Sequence, residues 1–129
     1  MSTWKSFEDI DVWILAKEFC HNIFILMTET ELKTDYRLKD QINGSSGSIM
    51  DNIAEGYGRG GNKEFIMFLA YAKGSAAESH SQLIRILDRN YITQEQFNSL
   101  KSNILEIENK IGGLIAYLKK SDFKGYKLK

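Results

Sequence analysis

Apolar residues recur every three or four positions throughout the last third of the chain. Seven of them alternate at spacings of three and four, namely Phe97, Leu100, Ile104, Ile107, Ile111, Leu114 and Leu118. This spacing is typical of the buried seam of a helix that packs on other helices. Thr93, followed by Gln96 three positions later, matches a capping box at a helix start. The pattern therefore predicts a helix over residues 94–120.

The first third of the chain carries two apolar stripes rather than one. Their members are Trp13, Cys20 and Met27 in one stripe, and Val12, Leu15, Phe19 and Leu26 in the other. They predict a helix over residues 8–29 with more apolar surface than one bundle core needs. Two explanations stay open: a second packing surface used for self-association, or a deep position within the monomer.

The second predicted helix spans residues 34–56. The helical spacing of its inward positions continues across Gly44 and the serines that follow, although these residues favour a loop on propensity alone. The positions that hold the phase are Leu38, Ile42, Ser46, Ile49 and Ile53. Thr34 or Asp35 is a suitable N-cap, and Gly56 with its neighbours is expected to form the C-cap and a turn.

The third predicted helix spans residues 62–89, with Asn62 as its N-cap and Glu64 in its first turn. Small residues dominate its centre between Ala70 and Ser79. Small side chains allow close approach of a neighbouring backbone, so we expect this stretch to lie opposite the glycines and serines of the second helix.

Four helices joined by short connections pack most simply as an antiparallel up-and-down bundle. The chain of 129 residues contains no proline, which suits long uninterrupted helices. No segment alternates with period two for long enough to predict a strand. We therefore expect one all-α domain, an antiparallel up-and-down four-helix bundle over residues 1–129.

Net charge is zero, but the charges are unevenly distributed. Residues 1–64 carry 7 basic and 11 acidic side chains, whereas residues 65–129 carry 10 and 6. The basic excess lies in a C-terminal tail, residues 119–129, which includes Lys119, Lys120, Lys124 and Lys127. Such a tail contacts phosphate or an acidic partner in some proteins and is simply solvated in others.

The single cysteine and the acidic N-terminus favour the cytoplasm. One cysteine cannot form an internal disulfide, which suits a reducing compartment. Glu8, Asp9 and Asp11 stand where a signal peptide needs an apolar run. No stretch approaches the roughly 18 apolar residues of a membrane span, so we expect no membrane association.

Residues 56–61 match the dinucleotide-binding pattern G-x-G-x-x-G. That chemistry needs a strand before the first glycine, and the preceding residues have helical periodicity. A helix end explains the glycines better. The segment nevertheless leads into the free amides of the third helix, with Arg59 and Lys63 beside them, so it is a candidate weak anion site.

Metal and catalytic patterns are incomplete. Glu18 and His21 give one E-x-x-H half-site, whereas a di-iron bundle needs two such motifs and two further glutamates. Cys20 lies on the apolar side of its helix, where a thiol is normally unreactive. We therefore predict no catalytic residue, no metal site, no cofactor and no small-molecule substrate.

Polar residues occupy positions on or beside the apolar faces of the second and third helices. They are Asn52, Glu55, Ser75 and Glu78, with Arg59 as the nearest cation to Glu55. A structural polar network that fixes helix register is the favoured interpretation. The alternative is a pair of carboxylates, Glu55 and Glu78, acting as acid and base.

The segment from Asn52 to Arg59, Asn-Ile-Ala-Glu-Gly-Tyr-Gly-Arg, followed by Glu64-Phe65, resembles the signature of the bacterial four helix bundle proteins. These are also called the 23S ribosomal RNA intervening-sequence protein family. Phe7-Glu8-Asp9 and the segment 38–42 fit the same pattern. The chain is more distantly similar to the accessory variability determinant of diversity-generating retroelements.

The resemblance implies a bundle protomer that commonly forms a ring-shaped homopentamer. For the retroelement relatives it implies binding to RNA and to a reverse transcriptase through a basic surface. Our leading hypothesis is a non-catalytic homo-oligomeric binding module for RNA or a nucleic-acid enzyme. The candidate contacts are Arg59, Lys63, Lys119, Lys120, Lys124 and Lys127. The alternative is a structural or regulatory protein-interaction module that does not bind nucleic acid.

Overall fold

The computed structural model describes residues 4–121, which form four long helices. They are α1 (Asp11–Glu29), α2 (Tyr36–Arg59), α3 (Asn62–Asp88) and α4 (Gln94–Lys120). Two short 3-10 turns, Phe7–Asp9 and Glu31–Thr34, precede α1 and α2. The described residues contain no strand, so the all-α prediction is confirmed.

Contacts along α2 and α3 show that these neighbours are antiparallel. Arg85, late in α3, donates to the side chain of Gln41, early in α2. Further along α2, Ser48 contacts Ser75 in the middle of α3. Residue numbers thus rise along one helix as they fall along the other.

The fourth helix runs opposite to both α1 and α3. Asn62, the first residue of α3, donates to the carbonyl oxygen of Leu118 near the end of α4. Asp11, the first residue of α1, pairs with Lys110 of α4 at 3.0 Å. Each long helix therefore lies beside a neighbour of opposite direction, as in an up-and-down bundle.

The core is a single apolar cluster with side chains from all four helices. Six of the seven seam residues of α4 are buried, and Leu114 is half-buried. Thr93 and Gln96 form the predicted capping box, in which each side chain accepts a hydrogen bond from the other's backbone N–H. Both the local start signal and the periodicity of this helix were therefore correct.

Among residues 4–121, none of the helices has an apolar stretch that could span a membrane.

The second helix continues one turn beyond its predicted end. Gly56 lies inside α2, and Gly60 takes the left-handed conformation that ends it, with φ of 94°. A carbon added at the Gly56 Cβ position would lie 2.6 Å from Phe68 Cβ. Gly56 is therefore required for close approach to α3, and the prediction that it caps the helix is wrong.

The expected match between the small residues of α2 and α3 is only partly correct. Ser45 and Ser48 of α2 do contact Ser79 and Ser75 of α3. The glycines do not contribute, because a Cβ at Gly44, Gly47 or Gly74 would meet no atom within 4 Å. These three positions face outward rather than toward the neighbouring helix.

At the end of the bundle where α2 begins, Asp35 joins α2 to the segment after α3. Its carboxylate accepts hydrogen bonds from the Tyr91 hydroxyl at 2.9 Å and from the Arg89 guanidinium. Both bonds lower the pKa of the Asp35 carboxyl, and the bond from Tyr91 has the larger effect. Asp35 is also the N-cap residue of α2, as predicted.

We expect Gly56→Ala to lower the free energy of unfolding by about 1–3 kcal/mol, because the added methyl overlaps Phe68. Gly44→Ala is the matched control and should raise it by about 1 kcal/mol, since Ala favours a helix and the site is open. Urea denaturation followed by circular dichroism measures both. Equal effects at the two positions would contradict the close approach.

The lowered pKa of Asp35 predicts an acid-dependent loss of stability. The ionised carboxylate stabilises the fold above its unfolded pKa of about 3.9, and that contribution disappears as the pH falls through the lower folded value. Asp35→Asn should therefore be less stable than the wild type at pH 7 but close to it at about pH 2. Urea denaturation at the two pH values tests this; a stability difference that does not narrow in acid would contradict it.

Candidate anion-binding end of the bundle

The α2–α3 connection meets the end of α4 through Asn62. Its side-chain amide donates to the carbonyl oxygens of Leu118 at 2.9 Å and Ser121 at 3.3 Å. Carbonyls in the last turn of a helix have no partner within the helix, so this side chain caps α4. The prediction that Asn62 caps α3 is wrong, because Gly61 holds that position.

This contact gathers four of the six predicted cations at one end of the bundle. Arg59 ends α2, Lys63 lies in the first turn of α3, and Lys119 and Lys120 end α4. All four side chains are exposed. The other two, Lys124 and Lys127, lie outside the described residues. We call these four residues the basic end.

Arg59 is the most constrained member of the basic end. Its guanidinium donates to Glu55 at 2.7 Å and lies 5.1 Å from the ring centre of Phe68. The hydrogen bond to Glu55 raises the Arg59 pKa. About half of each side chain in this pair is exposed, so the pair contributes little to stability. It does hold the guanidinium in one place beside the helix end.

The three lysines of the basic end are free to bind another group. Among residues 4–121, no ion pair involves Lys63, Lys119 or Lys120. The first backbone N–H groups of α3 point outward from its start beside Lys63, as at any helix N-terminus. The arrangement offers several donors and net positive charge to a phosphate or carboxylate.

Three aromatic rings pack against one another beside the α2–α3 connection. Trp4, Tyr57 and Phe65 contact one another edge to face at centre distances of 6.0–6.3 Å. The Tyr57 hydroxyl donates to the Trp4 carbonyl oxygen at 3.3 Å. Burial raises the pKa of Tyr57. Sequence reasoning missed the contribution of Trp4, which precedes the first periodic segment and shows no pattern of its own.

The glycine-rich motif has the geometry of a helix end. Gly56 and Gly58 belong to α2, and only Gly60 takes a positive φ angle among the glycines of residues 4–121. A dinucleotide turn needs a strand before the first glycine, and here a helix occupies that place. The segment therefore forms a helix end rather than a dinucleotide turn, but its cap is Gly60 and not the predicted Gly56.

The predicted polar network divides into separate parts. The Asn52 amide donates to the Ser48 hydroxyl at 2.9 Å, and the Ser75 hydroxyl also donates to Ser48, at 3.1 Å. These half-buried groups link α2 to α3, as expected of a register-fixing contact. Glu55 instead pairs with Arg59 on the surface, one helical turn away.

Glu78 is also exposed, so the expected inward position of both glutamates is wrong. Its carboxylate accepts a long, 3.5 Å hydrogen bond from the side-chain amide of Gln82. Glu55 and Glu78 each directly precede a buried residue, Gly56 and Ser79, and one position along an α-helix is a rotation of about 100°. That rotation is enough to place a long, charged side chain in solvent.

A buried hydrogen-bonded cluster, which sequence reasoning missed, lies between α2 and α3. The Ser45 hydroxyl donates to the Gln82 carbonyl oxygen at 2.6 Å and lies 2.8 Å from the Ser79 hydroxyl. All three residues are buried. The available signal was that Ser79 and Gln82 follow the spacing of the apolar positions in α3. We call these residues the Ser45 cluster.

The other candidate residues, those considered for a metal site or a reactive thiol, do not form such a site among residues 4–121. Glu18 and His21 are exposed and line a shallow surface depression with Lys17 and Asn22. Within residues 4–121, no group of three or more histidine, cysteine or acidic side chains is placed to hold a metal ion. Cys20 is half-buried and donates to the Ser46 carbonyl oxygen at 3.1 Å. Burial raises the pKa of its thiol, which disfavours the reactive thiolate.

The chain is similar to known proteins in sequence and in structure. The model of the 23S rRNA-intervening sequence protein family matches residues 8–113. A crystal structure of a protein of unknown function from the S23 ribosomal protein family of Bacteroides thetaiotaomicron VPI-5482 shares 28% identity and a TM-score of 0.73. The match covers 81% of this chain and 97% of that one. No curated protein matched the chain.

Replacing Gln82 by Met should lower the free energy of unfolding by about 1–3 kcal/mol, because the buried Ser45 hydroxyl loses its shortest hydrogen bond, the 2.6 Å bond to the Gln82 side chain. Replacing the whole Ser45 cluster with Ser45→Ala, Ser79→Ala and Gln82→Met removes every group that needs a partner. The triple variant should then lose less than the sum of its three single changes. Urea denaturation of all four variants measures this; strict additivity would contradict a shared network.

Proposed function

Because the chain belongs to the 23S rRNA-intervening sequence protein family, we propose a non-catalytic, homo-oligomeric binding module whose basic end binds RNA. The observation that carries the RNA part is the convergence of four exposed cations where the connection between α2 and α3 meets the end of α4. We also propose a cytoplasmic location, which the single cysteine supports.

Phosphate recognition follows from the geometry of the basic end. Lysine ammonium groups and helix N-terminal amides both bind phosphate oxygens without reading sequence. Lys63 and the start of α3 supply one such group, while Lys119 and Lys120 supply a second on the neighbouring helix. A structured RNA presents closely spaced phosphates, which a rigid pair of helix ends can contact together. Binding of this kind depends strongly on salt concentration.

Self-association is supported by the apolar side chains that the bundle leaves exposed. Among residues 4–121, eight large ones are exposed: Ile14, Phe24, Tyr36, Met67, Tyr71, Ile84, Leu105 and Tyr117. Phe24 is 55% exposed, and Ile14 lies on the same outer row of α1. Every member of the two apolar stripes predicted for this helix is buried or half-buried, so Ile14 and Phe24 form a separate exposed apolar row. The family resemblance suggests five subunits.

The positions of the Glu55 and Glu78 carboxylates support the proposal that the protein is not a catalyst. Glu55 lies near the end of α2 and Glu78 lies beyond the middle of α3, and both are exposed. An acid–base pair needs two groups that face one reacting atom. One open depression, of about 280 Å³, lies between the start of α1 and α4, and neither glutamate lines it.

A protein-interaction module without RNA is the second candidate. It is favoured by the acidic side chains of Glu55 and Glu64, which lie next to Arg59 and Lys63 and reduce the net charge there. Because the basic end also carries acidic side chains, it suits a protein surface of mixed charge better than it suits a polyanion such as RNA. The two candidates differ in the salt dependence of RNA binding.

The RNA proposal predicts measurable binding of a structured RNA hairpin at about 50 mM salt, weakening steeply as salt is raised. Replacing Arg59, Lys63, Lys119 and Lys120 by Ala should lower affinity at least tenfold and make the salt slope shallower. Fluorescence anisotropy with a labelled hairpin measures both quantities.

The control variant replaces four exposed cations elsewhere, Lys17, Lys33, Arg37 and Lys101, and therefore has the same net charge. It should retain affinity within about threefold if the contacts are local to the basic end. No hairpin binding at low salt would remove the RNA part and leave the protein-interaction module. Equal loss in both variants would show that charge alone, rather than the basic end, attracts the RNA.

A further inference from the structure

Arg59, the most constrained cation of the basic end, contacts one of two aromatic rings that pack together. Its guanidinium lies 5.1 Å from the ring centre of Phe68. The Phe68 ring packs edge to face on the ring of Tyr71, with the ring centres 5.5 Å apart and the planes at 82°. We call Phe68 and Tyr71 the aromatic pair. A continuous series of contacts therefore leads from a cation of the basic end to a second aromatic ring.

The two rings of the aromatic pair differ in exposure. Phe68 is half-buried, and its Cβ lies where Gly56 allows α2 and α3 to approach closely. Tyr71 is 52% exposed. An edge-to-face contact is a favourable arrangement of two aromatic rings. Phe68 therefore restricts the orientation of the Tyr71 ring, while about half of the tyrosine stays accessible to a ligand.

The position of Tyr71 on α3 also connects it with Lys63. Lys63, Met67 and Tyr71 follow one another at spacings of four residues, which places them along one side of the helix. All three side chains are exposed. The eight positions from Lys63 to Tyr71 correspond to about 12 Å along the helix axis. A strand whose phosphate contacts Lys63 therefore reaches the tyrosine ring within about four stacked nucleotides, at about 3.4 Å each.

Cations beside exposed aromatic rings are typical of surfaces that bind single-stranded nucleic acid. The cations attract the phosphates, and the rings stack on the bases. Proteins that recognise RNA in this way bind loops, bulges and ends, because unpaired bases there can leave the stack. In a duplex the bases stack on one another, so the faces that a protein ring would contact are covered.

We propose that Tyr71 is a stacking site for an unpaired base of single-stranded RNA whose phosphates bind the basic end. The site rests on the RNA binding proposed above, and it names the class of RNA, an unpaired segment rather than a duplex. Tyr71 supplies the face of the ring, and Phe68 fixes its orientation. Arg59 and Lys63 contact the phosphates on either side of the stacked base.

Stacking also suits the mixed charge of the basic end. Glu55 pairs with Arg59 at 2.7 Å and offsets its charge. A neutral ring stacks on a base whatever the net charge around it, and every base has a face that can stack. Tyr71 therefore adds binding free energy that the acidic side chains near Arg59 do not cancel.

A second exposed tyrosine provides a matched control. Tyr36 is 67% exposed, and the Lys39 ammonium nitrogen lies 5.2 Å from its ring centre. It combines an exposed ring with a nearby cation, but it begins α2, whereas Arg59 ends that helix. Tyr36 thus lies at the opposite end of the bundle from the basic end. A loss of RNA affinity at Tyr71 that Tyr36 does not share would depend on the basic end rather than on any exposed ring.

Two labelled strands of equal length separate stacking from charge: an oligoadenylate, and an abasic strand with the same number of phosphates. At about 50 mM salt, the wild type should bind oligoadenylate at least about fivefold more tightly than the abasic strand. Tyr71→Ala should remove most of that preference by lowering the affinity for oligoadenylate alone. Tyr71→Phe should retain the preference, because stacking needs the ring and not the hydroxyl, and so should Tyr36→Ala. Fluorescence anisotropy measures all of these affinities.

The salt dependence provides a readout that loss of charge would not share. Tyr71→Ala should leave the slope of affinity against salt unchanged, because it removes no cation. The four-residue alanine variant of the basic end should instead make that slope shallower. Since Tyr71 is exposed, its alanine variant should also keep the circular dichroism and the light-scattering mass of the wild type.

Several results would overturn the stacking site and leave RNA binding standing. They are hairpin binding without oligoadenylate binding, a wild type that does not prefer oligoadenylate to the abasic strand, full affinity in Tyr71→Ala, equal losses for both strands, or the same loss in Tyr36→Ala. A smaller assembly mass for Tyr71→Ala would also overturn it, and would assign the ring to a contact between copies. No binding of the hairpin or of either strand would overturn this site together with the RNA proposal.

Discussion

The contact between α2 and α3 sets the register of these two helices and, through it, the position of the basic end. At one end, Gly56 allows the two backbones to approach so closely that a single methyl would overlap Phe68. In the middle, the Ser45 cluster supplies buried hydrogen bonds that are satisfied in one register only. Shape and hydrogen bonding thus specify the same alignment, which favours one structure over slipped alternatives.

The basic end is a consequence of that alignment. Because α2 extends to Arg59 and turns at Gly60, α3 begins at the same level as the end of α4. Asn62 then donates to the carbonyl oxygens of Leu118 and Ser121, which joins the start of α3 to the end of α4.

Sequence reasoning predicted the parts of the fold that depend on local signals. The capping box of Thr93 and the seam of α4 both lie within one segment, and both were correct. The end of α2 was misplaced because Gly56 looks like a helix terminator, whereas its reason is a contact with Phe68, twelve positions away in sequence. Tertiary packing overrides propensity at such a position.

The candidate site was predictable in composition but not in geometry. Arg59 and Lys63 were recognisable from their place near a helix start, but the contact of Asn62 with Leu118 joins residues 56 positions apart. The Ser45 cluster was missed for the same reason, since Gln82 is 37 positions from Ser45. Glu55 and Glu78 were misplaced because they are next in sequence to buried residues, and one position along a helix turns a side chain by about 100° into solvent.

The most direct measurement is a titration of ¹⁵N-labelled protein with an RNA hairpin at low salt, followed by amide chemical shifts. If the basic end binds RNA, the shifts should change first at residues 59–64 and 118–121, the two chain segments that Asn62 joins. Changes confined to the opposite end of the bundle, around Asp35 and Arg89, would contradict it, as would spectra that do not respond to RNA.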